Sequence, residues 1–194
     1  SPYSSFRSIL SDIDVATAMQ GMDEESAETA MNKVRGIFGK AAGSYFGRGS
    51  WTDPDLSQIK FIAGYLHDSQ VVRIVDGYHE AKKLIASSKV CTTTSAVDNC
   101  ITKAASYSKS PWSNCKELKD GLSRVRANAF ESYINRSLIP LCDKLAKYKT
   151  RYTYFDDFDR DFQKVRKGKE YLEKKSYSSA AFLSKYNSTT RLTT

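Results

Sequence analysis

Between Trp112 and Lys149 the chain carries its longest helical pattern, and with it two of the four cysteines. Leu118, Leu122, Val125, Phe130, Ile134 and Leu138 recur in steps of three, four or five residues, which keeps them on one stripe of an α-helix. Lys116, Lys119, Arg124, Arg126 and Arg136 take much of the remaining surface. Such a helix is a central element of a bundle, with one face buried and a basic face in water. No strand-like alternation, repeat or low-complexity tract accompanies it. The sequence therefore predicts an all-α fold, a single-domain bundle of six to eight helices over residues 1–194. Nothing on the stripe is dedicated to chemistry.

The flanking segments fit that frame. Residues 4–20 read as a helix capped by Ser4 or Ser5, with Phe6, Ile9, Leu10, Ile13 and Ala16 on one side and Gly21 as its stop. A second helix opens on Asp23, Glu24 and Glu25 and closes at Gly47-Arg48-Gly49, charges and glycines placed where the helix dipole and C-cap favour them. Within it Gly36, Gly39, Gly43 and Gly47 predict a tight helix crossing. The competing reading is a cationic amphipathic stretch, Lys33 to Gly47, that lies on anionic membranes. Asp53-Pro54 starts a third helix running to about Leu66, and Asp68 or Ser69 starts a fourth that ends near Lys89. The run Thr92 to Ser95 is a turn before a short helix, Val97 to Tyr107. Pro140 should kink or end the central helix near Leu138, with Leu141, Leu145 and Tyr148 resuming the stripe. Thr153 then caps a helix whose apolar seam is Phe155, Phe158, Phe162, Val165 and Leu172. A last helix around Ser179 to Tyr186 precedes a polar tail, 187–194.

Cysteine usage points to a compartment. Cys91, Cys100, Cys115 and Cys142 form an even set without a CxxC pair or a histidine at metal-ligand spacing, which predicts two disulfides in a secreted, extracellular protein. Asn135-Arg136-Ser137 and Asn187-Ser188-Thr189 are candidate glycosylation acceptors on the same route. On an unbroken helix Cys115 and Cys142 lie roughly 40 Å apart, far beyond the ~4.4 to 6.8 Å between Cα atoms that a disulfide spans. Excluding that pair excludes Cys91 with Cys100 as well, if all four are paired. Two connectivities remain: Cys91 to Cys115 with Cys100 to Cys142, or Cys91 to Cys142 with Cys100 to Cys115. No charged-then-apolar leader opens the chain and no run is long enough to span a membrane, so the sequence reads as a mature, secreted protein.

Charge supplies the functional expectation. Residues 1–100 hold ten Lys/Arg against twelve Asp/Glu, whereas 101–194 hold twenty against ten, so the whole net charge of +8 comes from the second half. A field of that sign attracts anionic partners. Lys144, Lys147, Lys149 and Arg151 interleave with aromatics, and Arg166-Lys167-Gly168-Lys169, preceded by Lys164, has the basic spacing met where sulfated glycans bind. These eight cations are the candidate anion-binding residues, and the expected partner is a protein or a heparin-like acidic glycan. Nucleic acid is not favoured. The alternative is a carrier of an apolar small molecule between helices, which requires an enclosed cavity of roughly 300 Å³ or more. Membrane action ranks below both.

Motifs for catalysis are not found. His67 and His79 stand twelve residues apart without an HExxH pattern or a third ligand. Asp157-Phe158-Asp159-Arg160-Asp161 starts like a calcium loop, but the required glycine is Phe162 and the terminal glutamate is Gly168. No GxSxG, P-loop or GxGxxG occurs, and Gly47 to Ser50 is too short to cradle a phosphate. The expectation is a non-enzymatic binding protein with no metal and no cofactor.

Overall fold

The computed structural model describes residues 24–148 and 155–190. The helix expected over 4–20, the side chains of Lys149 and Arg151, the Thr153 cap and the last residues of the tail lie outside that range. Every regular element among the described residues is helical, as the periodicity requires. The chain packs as two compact units: residues up to 82 together with 106–121, and 83–105 together with 122 onward.

In the first unit, α1 (Glu24–Phe46) buries Val34, Phe38, Ala42, Tyr45 and Phe46. Thr52 accepts a hydrogen bond from the Asp55 amide and caps α2 (Asp53–Tyr65), so the cap lies one residue before the aspartate that the sequence favours. Leu56, Ile59, Ile62 and Ala63 form its buried stripe. His67, at φ 56°, makes the left-handed turn into α3 (Ser69–Ser87, its last five residues in the second unit), whose start is capped by Asp68 Oδ1 accepting from the Val71 amide. The job of this histidine is therefore conformational. Trp112, in a 3₁₀ turn (Trp112–Asn114), lies against Gly77 of α3 and donates its indole N–H to the Ile74 carbonyl at 2.9 Å. A Cβ at residue 77 would come within 2.6 Å of that indole, so only glycine lets the ring seat. Among the described residues nothing makes the tight crossing expected on α1: a Cβ added at Gly36, Gly39 or Gly43 meets none of them within 4 Å. The cations of the amphipathic stretch, Lys33, Arg35 and Lys40, are exposed, while its apolar side is buried in this unit's core.

The central stretch is not one helix. It divides into the 3₁₀ turn, α5 (Lys116–Ser123), α6 (Val125–Tyr133), a π-helical turn (Ile134–Leu138) and α7 (Ile139–Lys147). Arg124, at φ −98° and ψ −8°, leaves helical geometry beside Gly121 and Ser123, two weak helix formers, and the boundary between the units falls at 121/122. Farther on, Pro140 has no N–H and its ring crowds the carbonyl of the residue four back, so the backbone widens into a π turn there instead of stopping. The predicted stripe survives both interruptions, since Leu118, Leu122, Val125, Phe130, Ile134 and Leu138 are all buried.

The second unit also holds α4 (Thr94–Ser106, all but its last residue), α8 (Phe155–Lys174) and α9 (Ala180–Thr190). Thr93 caps α4 through the Ala96 amide, which starts this helix three residues earlier than the threonine run implied. α9 begins at a Ser179 cap and runs through Thr190, one turn into the segment expected as a polar tail; Thr189 is buried and donates its hydroxyl to the Tyr186 carbonyl. α7 packs against α8 and α9. Along α8 the buried seam is Asp161, Val165, Gly168 and Leu172, while Phe158 and Phe162 are half-buried and stack at 6.1 Å.

The cysteines correct the sequence argument. All four are buried and none is in a disulfide. Cys91 and Cys100 have their sulfurs 3.9 Å apart, which is the one juxtaposition that elimination had set aside. The elimination assumed an unbroken central helix, and the helix is broken at Arg124 and widened in the π turn. Cys115 belongs to the first unit, and Cys142, on α7, to the second. Both sequon asparagines are exposed, yet each sits in a helical turn, with the hydroxyl of Ser137 donated to the Thr92 carbonyl and that of Thr189 engaged as above.

Candidate anion-binding face

The second unit contains nineteen Lys/Arg against nine Asp/Glu, a formal +10, whereas the first contains eleven against thirteen. The charge asymmetry seen along the sequence is thus a property of one folded unit. Within it α8 concentrates cations, and Gly168 decides which way they face. A Cβ at residue 168 would approach Leu138 Cδ2 to 2.4 Å and the Tyr133 hydroxyl to 2.9 Å, so the glycine lets α8 close onto the π turn and α6. Glycine in Arg166-Lys167-Gly168-Lys169 therefore has a packing cause before any recognition role.

With the seam at 161, 165, 168 and 172 facing inward, 3.6 residues per turn places Lys164, Lys167 and Lys174 together on one flank. All three are exposed and have no acidic partner among the described residues. They span roughly 15 Å along the helix at about 1.5 Å per residue. Arg160 and Lys175 border them but are engaged, Arg160 with Asp157 at 3.2 Å and Lys175 with Asp98 at 3.4 Å. Tyr171, between Lys167 and Lys174, donates its hydroxyl to Asp98 Oδ1 at 2.6 Å, and burial together with this bond raises its pKa. The α4 carboxylate thereby fixes the ring that separates the lysines.

Of the eight candidate cations, the six that lie among the described residues divide between α7 and two flanks of α8. Lys144 Nζ stands 2.8 Å from Asp161 Oδ2, an ion pair rather than a well-angled hydrogen bond, and it neutralises a carboxylate that is only 2% exposed. That pairing raises the Lys144 pKa and gives the residue a structural duty. Arg166 and Lys169 lie on the opposite flank, where Arg166 binds Gln163 and approaches Glu170 to 3.8 Å, and Lys169 pairs with Glu173 while resting 5.2 Å from the Tyr186 ring centre. Lys147 is exposed at the end of α7. Lys149 and Arg151 are outside the described residues. Lys174 was missed as a site residue, although the helical period that groups it with Lys164 and Lys167 is legible in the sequence.

Three of the surface clefts have volumes of about 260, 300 and 290 Å³. The first lies between α8 and α9 beside Phe182 and Tyr177, the second beside Trp112 and Tyr107, and the third beside Trp51 and Lys116. Each opens to solvent, and each carries charged residues on its wall. No helix of the described residues is long and apolar enough to cross a membrane, and no three of their His, Cys, Asp or Glu side chains group as metal ligands. No protein-family model matches the chain, and no curated protein or solved structure is detectably similar to it.

Proposed function

We propose that this is a secreted, non-enzymatic binding protein that engages an acidic glycan, or an acidic protein surface, through the Lys164, Lys167 and Lys174 flank of α8. The observation that carries the reading is the alignment on one helix of three exposed ammonium groups without an acidic partner among the described residues, in a unit of formal charge +10. Lysines held on a packed helix lose little further backbone freedom on binding, and the surrounding excess of positive charge steers a polyanion toward them. Secretion rests on the cysteine count and the sequons, and glycosylation of Asn135 and Asn187 belongs to the same proposal.

The carrier reading is weaker because none of the three clefts is enclosed. Membrane action through α1 would require Phe38, Tyr45 and Phe46 to leave a core in which they are buried.

A column of immobilised heparin tests the proposal. Replacing Lys164, Lys167 and Lys174 by alanine should lower the salt concentration needed for elution far more than replacing Lys33, Lys40 and Lys60 of the first unit, which removes the same charge. Equal losses from the two sets would reduce the interaction to net charge.

A further inference from the structure

We infer that Cys91 and Cys100 are the one disulfide-forming pair of this chain, closing the turn between α3 and α4, and that Cys115 and Cys142 stay as buried thiols. The inference does not depend on the polyanion reading. Its ground is placement. Cys91 follows α3 and Cys100 lies in the second turn of α4, and their sulfurs are already in contact at 3.9 Å. Bond formation brings the two sulfurs to about 2.05 Å and turns the linkage to a dihedral near 90°.

The backbone at this point is held before any bond exists. The Cys91 amide donates to Ser132 Oγ at 3.0 Å, and the same hydroxyl donates to the Ser88 carbonyl at 2.8 Å, so one buried serine of α6 clamps both sides of the turn. The Cys91 thiol points toward the Ser87 carbonyl on one side and toward Cys100 on the other. A preorganised pair of this kind needs little rearrangement, whereas Cys115 and Cys142 are buried in different units.

The chemistry requires an oxidant, which we take to be a small disulfide such as oxidised glutathione. One cysteine thiolate attacks a sulfur of the oxidant and expels one glutathione thiolate, giving a mixed disulfide. The second cysteine thiolate then attacks the protein sulfur of that intermediate and expels the other glutathione. Two protein thiols lose two electrons and two protons, and one glutathione disulfide becomes two glutathione thiols. Burial, then the neighbouring Cys91, push the Cys100 thiol up to about 11, and both side chains are nearly inaccessible. Attack on an oxidant is therefore slow once the turn has packed, and the bond forms during folding.

The full-length chain is reduced and denatured, then refolded in a glutathione redox buffer, alkylated and mapped without reduction. The expected result is a single linked peptide pair, Cys91 with Cys100, with Cys115 and Cys142 alkylated only after denaturation. A second sample, folded while reduced and then exposed to the same buffer, should acquire the link at least tenfold more slowly. The linked form should melt roughly 5 to 10 °C above the reduced form of the same chain. A Cys115→Ala/Cys142→Ala chain should form the same link. Four alkylated thiols after refolding, or any link that includes Cys115 or Cys142, would overturn the inference.

Discussion

Gly168 shows how a single missing methyl governs a surface. Alanine there places a carbon 2.4 Å from Leu138 Cδ2, so α8 must retreat or Leu138 must change rotamer. Gly168→Ala should cost about 1 to 3 kcal/mol, the range for overpacking a filled interior, and should shift the urea midpoint accordingly. An unchanged midpoint would mean that α8 does not pack as closely as described. Cys142 provides a test of a different kind, on the reduced protein. Burial, aided by Asp143 and opposed by Lys185, lifts its thiol from 9.0 to about 11. Because the unfolded chain releases this proton first, the stability it contributes is complete below pH 9 and is lost as pH rises toward 11. Tyr177, raised from 10.0 to about 12 by burial and its bond to Glu131, adds the same slope at higher pH. Cys142→Val should fall less steeply in urea midpoint between pH 9 and 10 than the parent chain; parallel curves would remove the thiol from the account.

Elements were legible where period and burial coincide, and not where a neighbour decides. The six apolar residues of the Trp112 to Lys149 stretch are buried as their spacing demands, and the caps at Asp68 and Ser179 stand at or beside the expected starts. Sequence could not show that the helix is interrupted at Arg124, because its neighbours Gly121 and Ser123 are only weak helix formers and no proline marks the place. It also misread the α1 glycines. GxxxG spacing states that one face is small; whether another backbone approaches that face is a tertiary fact, and at Gly36, Gly39 and Gly43 none of the described residues does. These glycines therefore carry an entropic cost without a packing return. Replacing each by alanine should stabilise the protein by about 0.5 to 1 kcal/mol, read as a higher urea midpoint. A destabilised Gly39→Ala chain would show that something does occupy that face. On α8, period alone sorts the cations into two flanks, and the ion pairs to Glu170 and Glu173 fall on the flank opposite Lys164, Lys167 and Lys174.

At the scale of the molecule the question is whether a polyanion reads the field of a unit carrying +10 or the arrangement of three lysines. Field and arrangement respond differently to substitutions that remove equal charge. Lys164, Lys167 and Lys174 have no acidic partner among the described residues, whereas Arg166, Lys169 and Lys185 face Glu170, Glu173 and Asp143. If the field governs, alanine at either trio lowers heparin affinity alike, since the distant potential depends on the sum. If the arrangement governs, the first trio removes direct contacts and the counterion release that accompanies them. By analogy with phosphate contacts, the slope of log affinity against log salt should then shrink by about two to three for the first trio and by less than one for the second. The comparison is best made near 0.15 M salt, where a screening length of about 8 Å leaves contacts largely intact and mutes charges elsewhere on the surface. Equal slopes for the two trios would assign recognition to the unit as a whole and remove the α8 flank from the proposed function.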